Sequence, residues 1–389
     1  MIAPLPELRV ERASVRVVEL PLVSPFTTSF GTQTVRRALL VELEGDGVGG
    51  IGECAAGIDP GYSSETCAGA LLVLREHILP RIVGGGAASV VGHGRSWAWV
   101  RGHNMAKAAV EMALLDQAGR ASGRSLSQLL GGVRPRIGCG VSIGIQASLP
   151  ATLAAIESYL TAGYQRIKLK CRPGYDVELA RAVRQHFPGT PIMLDANSAY
   201  SLDDLDQLRA LDQFDLTMIE QPLAHDDLID HATLQSQIET SICLDESVES
   251  LCDLRAAVAL RSGRILNIKA GRVGGLLPAV RIHDHCVEVG WPVWCGGMLE
   301  TGVGRAANLA LAALPGFTLA GDTSASDRYF AQDLLSEPFA LAPDGTMAVP
   351  TEPGLGIAVD PRRLEQTTIH LEQVAAAGGP RGNLSPGPG

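Results

Sequence analysis

Three acidic residues stand at the ends of three short apolar runs. Asp195 follows PIML, Glu220 follows LTMI and Asp245 follows SICL, and each lies 25 residues from the next. If those runs are parallel strands of a barrel, the acids share one mouth, the C-terminal strand ends where such barrels carry their active sites. Converging carboxylates repel one another unless a cation neutralises them. An all-oxygen donor set selects Mg²⁺ or another hard divalent ion rather than zinc.

The chain has 32 basic residues, yet only Lys107, Lys168, Lys170 and Lys269 are lysines. Arginine keeps its proton near neutral pH, whereas an amine can be tuned to act as a base. Lys168 and Lys170 close RIKLK (166–170), just before Asp195, and Lys269 closes RILNIK (264–269), just after Asp245. Side chains alternate along a strand, so Lys168 faces the barrel interior with Met193, Met218, Cys243 and Asn267. Around the mouth the order is Lys, acid, acid, acid, Lys: a metal between two amines that approach from opposite sides. Two ammoniums ~6 Å apart at an effective dielectric of ~20 repel by roughly 3 kcal/mol, about two pKa units. Lys168 is therefore expected to push Lys170 down toward a working base. A base on each face and a Lewis acid between them suit proton abstraction α to a carboxylate, through an enediolate.

The elements that position these groups follow from periodicity. From Arg136 to Asp322, eight strand-like runs alternate with helix-length segments about every 25 residues; the first is IGCGVSIG (137–144) and the last FTLAGD (317–322). This alternation predicts an α/β fold, a modified TIM barrel (β/α)7β. Residues 1–133 read as an α+β capping domain, in which SVRVVELPLV and VRRALLVELE flank a polar segment and a helix runs from Asn104 to Leu130. The barrel domain is expected at 134–325, a C-terminal segment at 326–374 that returns to the cap, and a Gly/Pro-rich disordered tail at 375–389.

Composition narrows the function classes. A net charge of −10 argues against nucleic acid or an anionic membrane surface as partner. No apolar run approaches the ~18 residues of a membrane span, and the start lacks a signal-peptide core. Eight cysteines without a C-x-x-C pair fit a reduced, cytoplasmic protein. Three motifs read better as structure than as chemistry. Gly45–Gly50 is a hairpin turn rather than a dinucleotide loop, because no helix start follows. Gly140–Gly144 is a barrel strand with Ser142 near the rim, rather than a nucleophile elbow. The acids between His225 and His231 belong to a helix first turn rather than to a metal cluster.

The extended runs PFTTSFGTQT, GYQRIKLK, LDANSAY, CLDES, NIKAGRVGG and GDTSASDRYF resemble the enolase superfamily in its muconate-lactonising-enzyme-like group. Within it, the similarity is to the N-succinylamino acid racemase / o-succinylbenzoate synthase subfamily, over residues 16–370. In that superfamily, Lys or His bases work beside Mg²⁺. The resemblance implies Asp195, Glu220 and Asp245 as ligands of Mg²⁺, with Mn²⁺ or Co²⁺ as substitutes. It makes Lys170 and Lys269 the acid/base pair, with Lys168 supporting Lys170 and Arg272 tied to racemase activity. Two capping loops, 24–31 with Phe26 and 53–62 with Tyr62, would close over a substrate lined by Ser142, Asn197, Gly297, Met298 and Leu299. The chain departs from the family at Ile51, Gly61 and Ala270, the first two expected at the capping loop. The implied activity is Mg-dependent two-base racemisation of N-acylamino acids, N-succinyl ones preferred, together with o-succinylbenzoate synthesis. The alternative is a dedicated o-succinylbenzoate synthase. The implied partners are a small-molecule substrate and further copies of the chain, from dimer to octamer.

Overall fold

The computed structural model describes residues 5–376; residues 377–389, most of the expected tail, lie outside the described residues. The chain opens with three antiparallel strands, β1 (Arg12–Thr28), β2 (Gly31–Gly45) and β3 (Val48–Cys54). Asp46 and Gly47, both at positive φ, make the two-residue turn between β2 and β3, as the hairpin reading of this stretch requires. The polar segment between the first two apolar runs is no loop. It is the extended tip of the β1–β2 hairpin, beyond a register shift between Pro21 and Phe26. The tip reaches the barrel, where Ile145 N donates to Thr27 O at 2.9 Å.

β3 packs on the helix Asn104–Ser122, and Gly50 and Gly52 make this possible. A Cβ at either position would run into the helix carbonyls of Ala113 and Ala109. The expected single helix to Leu130 is two, because Gly123 turns left-handed (φ 65°) and a new capped helix begins at Leu126.

The run 137–144 divides as well. β4 (Arg136–Gly138) pairs antiparallel with a late strand, and β5 (Gly140–Ile143) begins the barrel. β6 (Arg166–Lys170), β7 (Ile192–Asp195), β8 (Ile219–Glu220), β9 (Ile242–Leu244), β10 (Ile265–Ile268) and β11 (Val293–Cys295) follow in parallel order. The eighth run is not a strand. Phe317 and Gly321 make isolated bridges to Val293 and Cys139. Gly140 N donates to Gly321 O at 2.7 Å and Asp322 N to Cys295 O at 2.9 Å, so the segment closes the ring with single bonds rather than a ladder.

Met193, Met218, Cys243, Ile265 and Trp294 form a separate apolar cluster inside the barrel, as the strand alternation demands. β12 (Thr346–Ala348) is the partner of β4, and β13 (Thr368–Val374) lies antiparallel on β1, completing the N-terminal sheet from the far end of the chain. Among the described residues, no helix is long and apolar enough to cross a membrane.

Candidate active site

Strand register builds the mouth of the barrel. Lys170 pairs with Asp195 and Asp195 with Glu220, while Asp245 and Lys269 come directly after β9 and β10. The acids are at most 1 % exposed. On one flank, Lys170 Nζ donates to Asp195 Oδ2 at 2.7 Å and to Asn197 Oδ1 at 2.5 Å. Lys168 Nζ lies 3.0 Å from both Asp195 Oδ2 and Glu220 Oε2. On the other flank, Lys269 Nζ donates to Asp245 Oδ2 at 2.7 Å and to the Tyr62 hydroxyl at 3.1 Å. Glu220 Oε1 accepts from Asn267 Nδ2 at 2.7 Å. Arg272 grips Asp245 Oδ1 and donates to Val248 O at 2.9 Å, anchoring that carboxylate from below.

The electrostatics of the mouth come from these shared contacts. Burial alone would lower the Lys168 amine, but Asp322, Glu220 and Asp195 together hold it well above its ordinary range. Lys269 also ends above its ordinary value, because Asp245 and the Tyr62 oxygen overcome burial. Asp195 and Asp245 ionise more readily than free carboxyls despite burial, the first through Lys170 and Lys168, the second through Lys269 and Arg272. Glu220 goes the other way, to about 8, through burial and the charge of Asp195, with Asp245 adding to it.

These acids therefore feel one another's charge, and their donor set is three hard oxygens, so they fit a hard divalent cation. Among the described residues no three His, Cys, Asp or Glu side chains enclose an ion as they stand; lysine ammoniums lie against the acids instead.

The three lysines, Ser142, Asn197, Gly297, Met298, Leu299, Phe26 and Tyr62 all line one cavity between the barrel mouth and the N-terminal strands. The three acids and Arg272 lie behind that lining. Ser142 Oγ is buried without a hydrogen-bond partner among the described residues. Asn197, Ser198, Gln221 and Leu299 have positive φ without being glycine, a local strain concentrated at this mouth. Ile51 is a correction. It sits within β3, its amide donating to Asp116 Oδ2 at 3.0 Å, and does not line the cavity. Gly61 does line it, and a Cβ there would meet the Phe30 ring at 2.7 Å, so the two capping segments interlock through the missing side chain. His231 and Asp227 are structural: the Asp227 carboxylate accepts from Ile229 N and Asp230 N at a helix start.

Sequence reasoning missed Asp322 and Glu246. Asp322 Oδ2 lies 2.5 Å from Lys168 Nζ, and its other oxygen pairs with Arg166, whose guanidinium lies over Trp294. The signal was available, since Asp322 ends its run in the same phase as the other acids. Glu246 Oε1 accepts from Asn197 Nδ2 at 2.9 Å, and burial pushes its carboxyl to about 7.

Residues 12–131 match the N-terminal domain of the mandelate racemase / muconate lactonizing enzyme family, and residues 151–363 match the enolase C-terminal domain-like family. The chain is 49 % identical to an N-succinylamino acid racemase from Amycolatopsis, over 93 % of this chain and 98 % of that one. It is 48 % identical to an o-succinylbenzoate synthase from Geobacillus stearothermophilus, over 93 % and 96 %. A crystal structure of an enolase-superfamily member from Listeria innocua superposes with a TM-score of 0.91 at 40 % identity, covering 95 % of this chain and 99 % of that one.

Proposed function

This chain belongs to the enolase superfamily, with the mandelate racemase / muconate lactonizing enzyme N-terminal domain, and on that premise we propose that it racemises N-acylamino acids, N-succinyl ones preferred. One observation carries the reading: Lys170 and Lys269 line one cavity and are held on opposite flanks of the three buried acids. A Cα placed between them has a lysine on each face. In either direction one lysine, as the free amine, takes the α-proton, leaving an enediolate, and the ammonium opposite returns a proton to the other face. Lys168, held by Asp195, Glu220 and Asp322, stays a cation and offers its charge to the substrate carboxylate. Ser142, Asn197 and the 297–299 turn orient the acyl amide, the turn fixed by Met298 N donating to Glu300 Oε2 at 2.7 Å. A Mg²⁺ ion held by Asp195, Glu220 and Asp245 supplies positive charge where the carboxylate oxygens gain electron density.

The same lysines serve a dehydration. Lys170 removes the α-proton and returns it to the departing hydroxyl, which leaves as water as the C=C bond forms, while Lys269 remains an ammonium beside the developing anion. The 48 % identity to a relative named o-succinylbenzoate synthase favours this second activity, on its own or beside the first. Eight unpaired cysteines, seven of them buried, agree with a cytoplasmic setting.

The test is N-succinyl-phenylalanine in D₂O with Mg²⁺, followed by NMR. Both enantiomers exchange their α-hydrogen, and a chelator stops the exchange until Mg²⁺ returns. Exchange of neither enantiomer overturns the racemase. Dehydration to o-succinylbenzoate without racemisation makes the chain a dedicated synthase.

A further inference from the structure

The cavity holds a cation that the proton-transfer chemistry does not use. Arg36, on β2 of the N-terminal sheet, helps to line it and is only 3 % exposed. Its Nε and Nη2 are buried and have no hydrogen-bond partner among the described residues. A guanidinium in such a place ordinarily meets a carboxylate, and unmet buried donors are costly.

The neighbouring acids are committed elsewhere. Glu53, whose carboxyl burial raises against the pull of Arg36, accepts from Thr301 N at 3.1 Å, Thr301 Oγ1 at 2.7 Å and Gly304 N at 2.9 Å. Glu65, which also lines the cavity, accepts from Met105 N at 3.0 Å through both oxygens. Each caps a helix and leaves the fork of Arg36 free.

We propose that Arg36 receives the distal carboxylate of the substrate's acyl group. The α-carboxylate and Cα belong beside the lysines and acids of the barrel, so an arginine contributed by the cap meets what extends away from them. An acyl chain ending in an anion, such as succinyl, satisfies the fork; a neutral chain of equal length leaves it unmet. The inference rests on the racemase reading and adds to it the residue that sets acyl preference.

The experiment compares wild type, Arg36→Met and Arg36→Lys on N-succinyl- and N-butanoyl-phenylalanine, with calorimetry of N-succinylglycine and N-butanoylglycine beside it. In Arg36→Met, KM for the succinyl substrate rises about 10- to 100-fold with kcat little changed. The butanoyl substrate is unaffected, and Arg36→Lys recovers part of the loss. A variant that keeps the succinyl preference, or weakens both substrates alike, overturns the assignment. Wild-type binding that favours N-succinylglycine through Arg36, without α-hydrogen exchange on either phenylalanine substrate, would instead sink the racemase reading and leave the anion site standing.

Discussion

Lys170 and Lys269 flank the same carboxylates, but their second contacts differ in origin. Lys170 leans on Asn197, in the loop directly after its neighbouring strand, at 2.5 Å. Lys269 leans on Tyr62, 207 residues away in the N-terminal region, at 3.1 Å. That hydroxyl also donates to Asp245 Oδ1 at 3.0 Å and accepts from Arg272 Nη1 at 3.3 Å. Lys170 thus takes its direct contacts from the barrel alone, and Lys269 takes its contacts from barrel and cap jointly. On the two-base proposal, the cap touches a base directly on the Lys269 face, and on the Lys170 face it reaches only the Asn197 carbonyl, through Ser29 Oγ at 3.4 Å.

The broadest test of the comparison removes each base in turn. Lys170→Ala and Lys269→Ala should each lower racemisation by about 10²–10⁴-fold. Each should still exchange the α-hydrogen of one enantiomer in D₂O, and the two variants should retain opposite enantiomers. Full racemisation in both would end the two-base assignment, and loss of all exchange in both would deny that the faces act separately.

What the sequence disclosed follows the same division. Strand alternation orients side chains locally, so a 25-residue recurrence was enough to bring Asp195, Glu220 and Asp245 to one mouth with a lysine on each side. Asp322 carries the same phase but escaped notice, because its segment joins the ring by single bonds and reads weakly as a strand. The contacts of Tyr62, the seating of Phe30 on Gly61 and the free fork of Arg36 depend on how two sheets meet. No periodicity within either sheet encodes that. Ile51 shows the reverse error: its position along the chain suggested the capping loop, but β3 extends to Cys54 and keeps it in the sheet.

A finer test removes only the shared hydroxyl. Tyr62→Phe keeps the ring that lies 4.2 Å beneath the Lys269 ammonium and deletes the bonds to Lys269 and Asp245. Hydrogen bonds to charged groups contribute about 1.5–3 kcal/mol, so exchange of the enantiomer facing Lys269 should slow by roughly tenfold or more. Exchange at the Lys170 face should change little. Equal slowing of both would mean that Tyr62 serves only to hold the cap down.

The smallest effect concerns how cap and barrel are held together, and it appears in stability rather than rate. Glu53, on β3, caps the helix Gly302–Ala312, and Glu111, on the helix Asn104–Ser122, accepts from Leu277 N at 3.0 Å at the start of the helix Leu276–Val289. Burial raises both carboxyls from 4.5 to about 7, against the opposing pull of Arg36 on Glu53 and of the Leu277 amide on Glu111. The folded chain therefore holds these protons more tightly than the unfolded chain does. Their contribution to stability is fully present below about 4.5 and is lost as pH rises toward 7, by an amount on the order of 1–3 kcal/mol per group. Asp195 and Asp245, with depressed values, behave oppositely and lose their contribution as pH falls. Glu53→Gln keeps a carbonyl acceptor for the helix but cannot titrate. Its melting temperature should fall less steeply between pH 5 and 7 than that of the parent chain, while the change at lower pH, governed by the barrel-mouth acids, stays as it was. An unchanged slope would mean that Glu53 is already ionised throughout that range, and that the junction, like the Lys269 flank, rests on paired charges rather than on a buried proton.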